Sequence, residues 1–410
     1  MKINKKKFYS RLFIIFLLFQ LYLPSFKVNV FLQIGMILFY FFLEKPLISK
    51  AFLVKIVPLF LLICIGFLGS LIHKYTFSQI SKDFFHFLKP VLGITIGYLF
   101  YKKIEDKESF IKNIIYAGFI SAIIHLIIVF FFSNFSTGNV SAIRQFSRDN
   151  FLELVSVFFL VTYSRFFQKK IELTNYKLIL TVLALSCFLY LSRTMFLATI
   201  VFTISVFGFT KISPKSIKAL FVLLIIIGLF YMYLFSVKIE RNKPGLEGFL
   251  YKIKIAPAEI FKTKIDRENH KDLWDHWRGY EAKRAIALMN ESPSSWIFGT
   301  GYGSMVNLKF KAPLSEEEKG MKFISELHNG YIYVLYKTGV IGLFVYLYFI
   351  FMVYKEIYKR TDFQTVYISS IGLIFFITSL TITGLYNNRD IFVFILGALF
   401  VIKLEKKELL

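Results

Sequence analysis

Acidic side chains are scarce in this sequence. Its 26 Asp and Glu stand against 50 Lys and Arg, a net charge of +24 over 410 residues. Cysteine is nearly absent. Cys64 and Cys187 both lie within apolar stretches, which excludes a disulfide framework and a thiolate zinc site. The six histidines never fall in an H-E-x-x-H arrangement, so no metal is expected, and no G-x-x-x-x-G-K-S/T loop is present to hold a nucleotide. Internal repeats and low-complexity tracts are also missing, and the lack of two similar halves weighs against a transporter or flippase. Polar surface is short too: 56% of residues are hydrophobic and the mean hydropathy is +0.60. A soluble domain of this length needs more polar covering.

The apolar residues fall in blocks long enough to cross hydrocarbon as helices. About twelve spans are read: 8–25, 28–43, 51–72, 84–101, 110–132, 150–167, 176–191, 194–210, 217–236, 329–354, 364–383 and 390–404. The basic residues collect between them, so the positive charge reports topology rather than nucleic-acid binding. With the N-terminus in the cytoplasm, every inside segment is rich in Lys, as in Lys5-Lys6-Lys7, Lys102-Lys103 and Lys169-Lys170. The short outside segments are much poorer in Lys and hold Lys27, Lys74, Arg144, Arg148, Arg193 and Arg389. The first span is read as retained, because no small-residue cleavage site follows it. Lys55 and Lys89 are the awkward charges within spans.

The expected division is therefore 1–236 for nine spans, 237–327 for a large periplasmic loop, and 328–410 for three more spans. A loop of that length usually has a task. Within it, Asp275 to Asn290 reads as an amphipathic helix, with Trp277, Tyr280, Ala285, Ile286 and Met289 on one side and Arg278, Glu281 and Lys283 nearer the other.

Arg193 sits in Leu191-Ser192-Arg193 between two spans with almost no loop. It reads either as an arginine snorkelling from a helix end or as a fork gripping a lipid phosphate in two places. Arg278 opens the loop helix and is either a phosphate contact or a solvated charge paired with Glu281 or Asp275. Arg144 and Arg148 are headgroup anchors or aids to substrate binding. Gly299, Gly301 and Gly303 alternate in Phe298-Gly-Thr-Gly-Tyr-Gly-Ser304, which suits a tight turn near a ligand or an ordinary glycine-rich turn. His328, beside Asn329 where the loop meets the tenth span, has the chemistry of a general base. Gly339 and Gly342 suit close helix packing.

Taken in order, these pieces resemble the O-antigen ligase and O-antigen polymerase family. Ser192-Arg193 lies between two spans, Arg278-Gly279-Tyr280 leads a loop helix, Gly299 to Gly303 forms the turn, and His328-Asn329 precedes Gly339 and Gly342. The resemblance is good over residues 180–350. It implies an all-α polytopic glycosyltransferase of the C type that works without metal or cofactor in lipopolysaccharide or surface polysaccharide biosynthesis. The active site would face the periplasm from the bacterial inner membrane, and the donor would be a glycan on undecaprenyl diphosphate. Arg193 and Arg278 would hold the diphosphate, and His328 would activate the acceptor, with Glu281, Glu326 and Asp275 as rival bases. The acceptor is a second lipid-linked glycan for a polymerase, or lipid A-core or protein for a ligase. Membrane lipids and a chain-length regulator are candidate partners, and no nucleic acid is expected.

Overall fold

The computed structural model describes residues 4–408 apart from 24, 134–149, 242, 244–245, 263, 314–319, 360 and 388–389. Arg144 and Arg148 thus lie outside the described residues. Among the described residues, nine helices precede the long polar stretch: α1 (Lys5–Tyr22), α2 (Phe26–Glu44), α3 (Lys50–Ile72), α4 (Phe77–Ile104), α5 (Lys107–Phe132), α6 (Phe151–Phe167), α7 (Tyr176–Leu189), α8 (Arg193–Val206) and α9 (Pro214–Ser236). The stretch itself contains α10 (Leu246–Phe261), α11 (His270–Asp275), α12 (Trp277–Met289), α13 (Pro293–Phe298) and an antiparallel hairpin of β1 (Val306–Ala312) and β2 (Met321–Ile324). The chain then returns to the bundle as α14 (Gly330–Tyr354), α15 (Phe363–Thr378) and α16 (Phe392–Glu408).

Among the described residues six helices, α2, α3, α4, α5, α9 and α14, are long and apolar enough to cross a membrane, and α7, α8, α15 and α16 are shorter apolar helices. Side chains along α9, such as Phe221, Leu224, Met232 and Phe235, face outward, which is stable only beside lipid. The chain is a multi-pass membrane protein.

Local chemistry sets the helix starts. Ser49 caps Phe52 N at 3.2 Å, Asp106 caps Ser109 N at 2.7 Å, and Pro214 stands in the first turn of α9, where its missing N–H costs nothing. In the middle of the bundle α4 crosses α16 with glycines at the contact. A Cβ at Gly97 would collide with Phe394 O, and one at Gly397 with Ile94 O, the close backbone approach that small residues permit between membrane helices.

The two ends of the bundle differ. At the end that carries the chain's first and last helical residues, each of three acids collects several lysines. Glu44 holds Lys5 (3.3 Å) and Lys103 (2.6 Å), and Glu108 holds Lys112 (2.9 Å) and Lys169 (2.5 Å). Glu356 holds Lys55 (2.6 Å), Lys359 (3.0 Å) and Lys403, so Lys55, awkward in the sequence, is paired near the start of α3. The long polar segment caps the opposite end.

In that cap, the helix expected over Asp275–Asn290 is split at His276, where φ −122° and ψ 30° leave the helical region. Trp277, Tyr280, Ala285 and Met289 are buried as expected. Glu281, assigned in sequence nearer the polar side, is buried as well. Helix α12 packs against α10, β1 and α14, so it has no single wet face.

Candidate active site

Arg193 owes its position to a break between helices. Leu191 adopts a left-handed φ of 45°, and Ser192 caps α8 through Met195 N at 3.4 Å. Behind the break, the buried Glu153 carboxylate accepts from Ser121 Oγ (2.8 Å), Asn150 Nδ2 (2.9 Å), Ser186 Oγ (2.5 Å) and Tyr190 Oη (3.1 Å). Because Tyr190 directly precedes the turn, this network fixes where α8 begins and hence where its first residue points.

Arg193 reaches into the cap. Its Nη1 donates to Lys252 O at 2.7 Å and to Glu259 Oε2 at 3.1 Å on α10. Arg278 Nη1, from the first turn of α12, donates to the other oxygen, Glu259 Oε1. One carboxylate therefore joins two guanidinium groups that are far apart in the chain. Arg278 pairs with neither of its sequence-expected partners. Asp275 is taken by Arg241 (2.9 Å) and Tyr251 Oη (2.8 Å), and Glu281 by His328. Burial, followed by the nearby charge of Arg193, lowers the Arg278 pKa to about 10, and the group stays cationic at neutral pH. Its Nε is buried and has no acceptor among the described residues. Gly279 lets this pairing form, since a Cβ there would sit 2.9 Å from Lys262 O, just past the end of α10.

One turn along α12 from Arg278, Glu281 meets the end of the cap. Its carboxylate accepts from His328 N at 3.0 Å, and His328 Nδ1 lies 3.0 Å from both of its oxygens. The acid is buried at 1% exposure while the imidazole is half exposed. A carboxylate oxygen accepts, so Nδ1 is the donor where the ring meets Glu281. Glu281 thus supports His328 instead of facing the solvent itself. Glu326 lies 3.4 Å from His86 and 3.9 Å from Lys82.

The remaining expected residues meet the protein's own elements. Asn329 Oδ1 accepts from Tyr331 N and Ile332 N, both at 3.1 Å, and so caps α14. The three glycines have φ of 78°, 80° and 94°, conformations that suit glycine. Their close neighbours are the protein's own elements. A Cβ at Gly299 would strike the Lys337–Thr338 backbone of α14, one at Gly301 the Gly69–Ser70 backbone of α3, and one at Gly303 the ring of Tyr75. Thr300 N donates to Tyr336 O (2.8 Å) and Gly301 N to Lys337 O (3.1 Å), at the kink where Gly339 turns to φ 68°. Gly303 N donates to Asp83 Oδ2 (2.7 Å), which also receives the buried Lys337 Nζ (2.6 Å). The turn pins the cap into the bundle, and only Gly303 borders open space.

Sequence reasoning missed Glu259. It lies in an unforeseen helix with Pro257 inside it, and nothing local in the sequence marks it as the partner of two distant arginines. Its pairing matters because one carboxylate bridging two guanidiniums is the geometry those forks would give to an oxyanion.

Residues 178–347 match the family model described as O-Antigen ligase, a stretch that contains Arg193, Glu259, Arg278, Glu281 and His328. No curated protein and no solved structure matches the chain. Over residues 178–347, then, this chain is similar to the O-antigen ligase family.

Proposed function

We propose that the protein transfers an oligosaccharide from undecaprenyl diphosphate to an acceptor at the periplasmic face of the bacterial inner membrane, as a surface polysaccharide polymerase. In this reading all of α1–α9 and α14–α16 cross the bilayer, in the manner of C-type glycosyltransferases. The lysine-rich end faces the cytoplasm, as the positive-inside rule requires, and residues 237–327 form the periplasmic loop. Arg193 and Arg278 bind the diphosphate, and His328 is the base.

The observation that carries the reading is the meeting of Arg193 and Arg278 on Glu259, with His328 oriented by Glu281 on the helix that Arg278 opens. The acceptor hydroxyl oxygen attacks the anomeric carbon of the donor's reducing-end sugar. Its proton passes to His328 Nε2 as the bond from that carbon to the phosphate oxygen breaks. The electron pair leaves on undecaprenyl diphosphate, where the two guanidiniums stabilise the growing charge as the diphosphate displaces Glu259. A single displacement inverts the anomeric centre.

Purified protein given an undecaprenyl-diphosphate oligosaccharide in vesicles is expected to lengthen it and release undecaprenyl diphosphate. His328→Ala should insert and fold but leave the substrate unchanged; full activity in that variant would refute the assigned base. Gene deletion separates the two acceptors. One capped repeat on lipid A-core marks a lost polymerase, whereas bare core with accumulated lipid-linked polymer marks a lost ligase.

A further inference from the structure

Helix α10, which brings Glu259 to the two arginines, sits loosely on the rest of the protein. Among its described residues none is buried. It packs against α12 and α9, and α9 gives it little anchorage, because only Ser216 and Leu234 of that helix are buried. The two helices are tied to each other. Tyr231 Oη donates to Ile253 O at 3.1 Å, and Lys254 Nζ donates to Val237 O at 3.1 Å. Toward the cap the ties are polar, the arginine pairs being joined by Tyr251 Oη donating to Asp275 Oδ2 at 2.8 Å. Together α9 and α10 form an arm held by contacts that water or a ligand can replace.

We infer that Glu259, carried on this arm, keeps ordinary anionic phospholipid off the arginine pair and yields only to a diphosphate, so that it decides which lipid head the site accepts; the identity of the accepted head rests on the proposed donor. The site needs such a guard. Phe196, in the first turn of α8 just after Arg193, is 63% exposed, as a side chain against lipid is. Arg193 thus stands where phospholipid heads gather, and cationic groups beside a bilayer attract the anionic ones.

The choice follows from counting oxygens and charges. Glu259 gives one carboxylate oxygen to each guanidinium. The phosphodiester of a phospholipid brings the same pair of free oxygens and the same single charge, so it gains little by taking that place. A diphosphate esterified at both ends has twice as many of each. The site also holds a donor that Glu259 leaves unused, since Arg278 Nε is buried without an acceptor among the described residues. A larger anion can engage Nη1 and Nε of that fork together. An internal partner lowers the apparent affinity of every ligand that must displace it by the same factor. A weak ligand is thereby emptied from the site, and a strong one stays.

The test has two arms, both on the full chain. In the first, native mass spectrometry counts phosphatidylglycerol retained after release from nanodiscs of phosphatidylethanolamine and phosphatidylglycerol. Wild type is expected to retain no more than Arg193→Ala/Arg278→Ala does. Glu259→Ala, and the milder Glu259→Gln, should each retain one molecule more, and lose it when both arginines are also replaced. No gain in either variant, or an arginine-dependent phosphatidylglycerol already present in wild type, would overturn the inference. The second arm is equilibrium binding of tritiated farnesyl diphosphate in discs of phosphatidylethanolamine alone and in the mixed discs. Wild type should bind equally in both, while the Glu259 variants lose about tenfold in affinity in the mixed discs through competition. An equal loss in wild type would also overturn the inference. Farnesyl diphosphate binding that survives Arg193→Ala/Arg278→Ala would instead refute the donor site, and the first arm would still decide the role of Glu259 against phospholipid.

Discussion

Two charged clusters lie at the capped end of the bundle, and they are built in opposite ways. Around Asp83 and Lys337 everything is enclosed. The lysine Nζ meets Asp83 Oδ2 at 2.6 Å, Ser304 O at 2.5 Å and Ser304 Oγ at 3.2 Å, and neither charged side chain is more than 2% exposed. Around Glu259 the guanidiniums are partly open, the Arg278 Nε lacks an acceptor among the described residues, and the nearby imidazole is half exposed. Charges that are sealed and fully paired fix architecture, because leaving either partner alone in a dry interior is costly. Charges that are paired but accessible can exchange a protein partner for a ligand. The first cluster locks the glycine turn into α3 and α14, and in the proposed function the second is where an anion takes the place of Glu259.

Substitutions can break this contrast, beginning with the largest expected effect. Lys337→Met strands Asp83 and is expected to lower stability by about 3–5 kcal/mol, read as a lower melting temperature of the detergent-solubilised protein. Arg193→Ala and Arg278→Ala should each slow glycan transfer by about 10²–10³-fold, with melting temperature little changed. If the arginine variants unfold while the Lys337 variant stays stable, the division between the clusters is wrong. Glu281→Gln keeps the size of the side chain but removes the carboxylate that orients His328. It should cost about 10²-fold in rate with little effect on binding of farnesyl diphosphate, measured by turnover and by equilibrium binding. Gly301→Ala forces a side chain into a positive-φ site against the α3 backbone and should cost at least about 1–2 kcal/mol, again by thermal melting. The smallest effect is expected from Asn329→Ala, which loses a helix cap worth about 1 kcal/mol and should transfer glycan at nearly the wild-type rate.

The helices were the most legible part of the fold. A bilayer leaves a spanning backbone few options, so apolar runs report helices directly, and each marked run contains a helix, although 194–210 is helical only to Val206 and 364–383 only to Thr378. Arg193 was legible for a related reason, since an arginine between two apolar runs with no loop to dilute it stands out. The cap was harder to read. Helix α12 is covered on several sides, so alternation of polar and apolar residues misplaced Glu281, and the glycine spacing announced unusual backbone without saying what approaches it. That proved to be α3 and α14, elements distant in the chain. Glu259 was unreadable because its significance lies wholly in a tertiary meeting of α8, α10 and α12.

The most direct test of the account is an electron cryomicroscopy structure of the protein with undecaprenyl diphosphate bound. The account predicts diphosphate oxygens within hydrogen-bond distance of both Arg193 and Arg278, the Glu259 carboxylate displaced from them, and His328 Nε2 facing the bound head group. A diphosphate seated elsewhere while Glu259 still bridges the two arginines would contradict it.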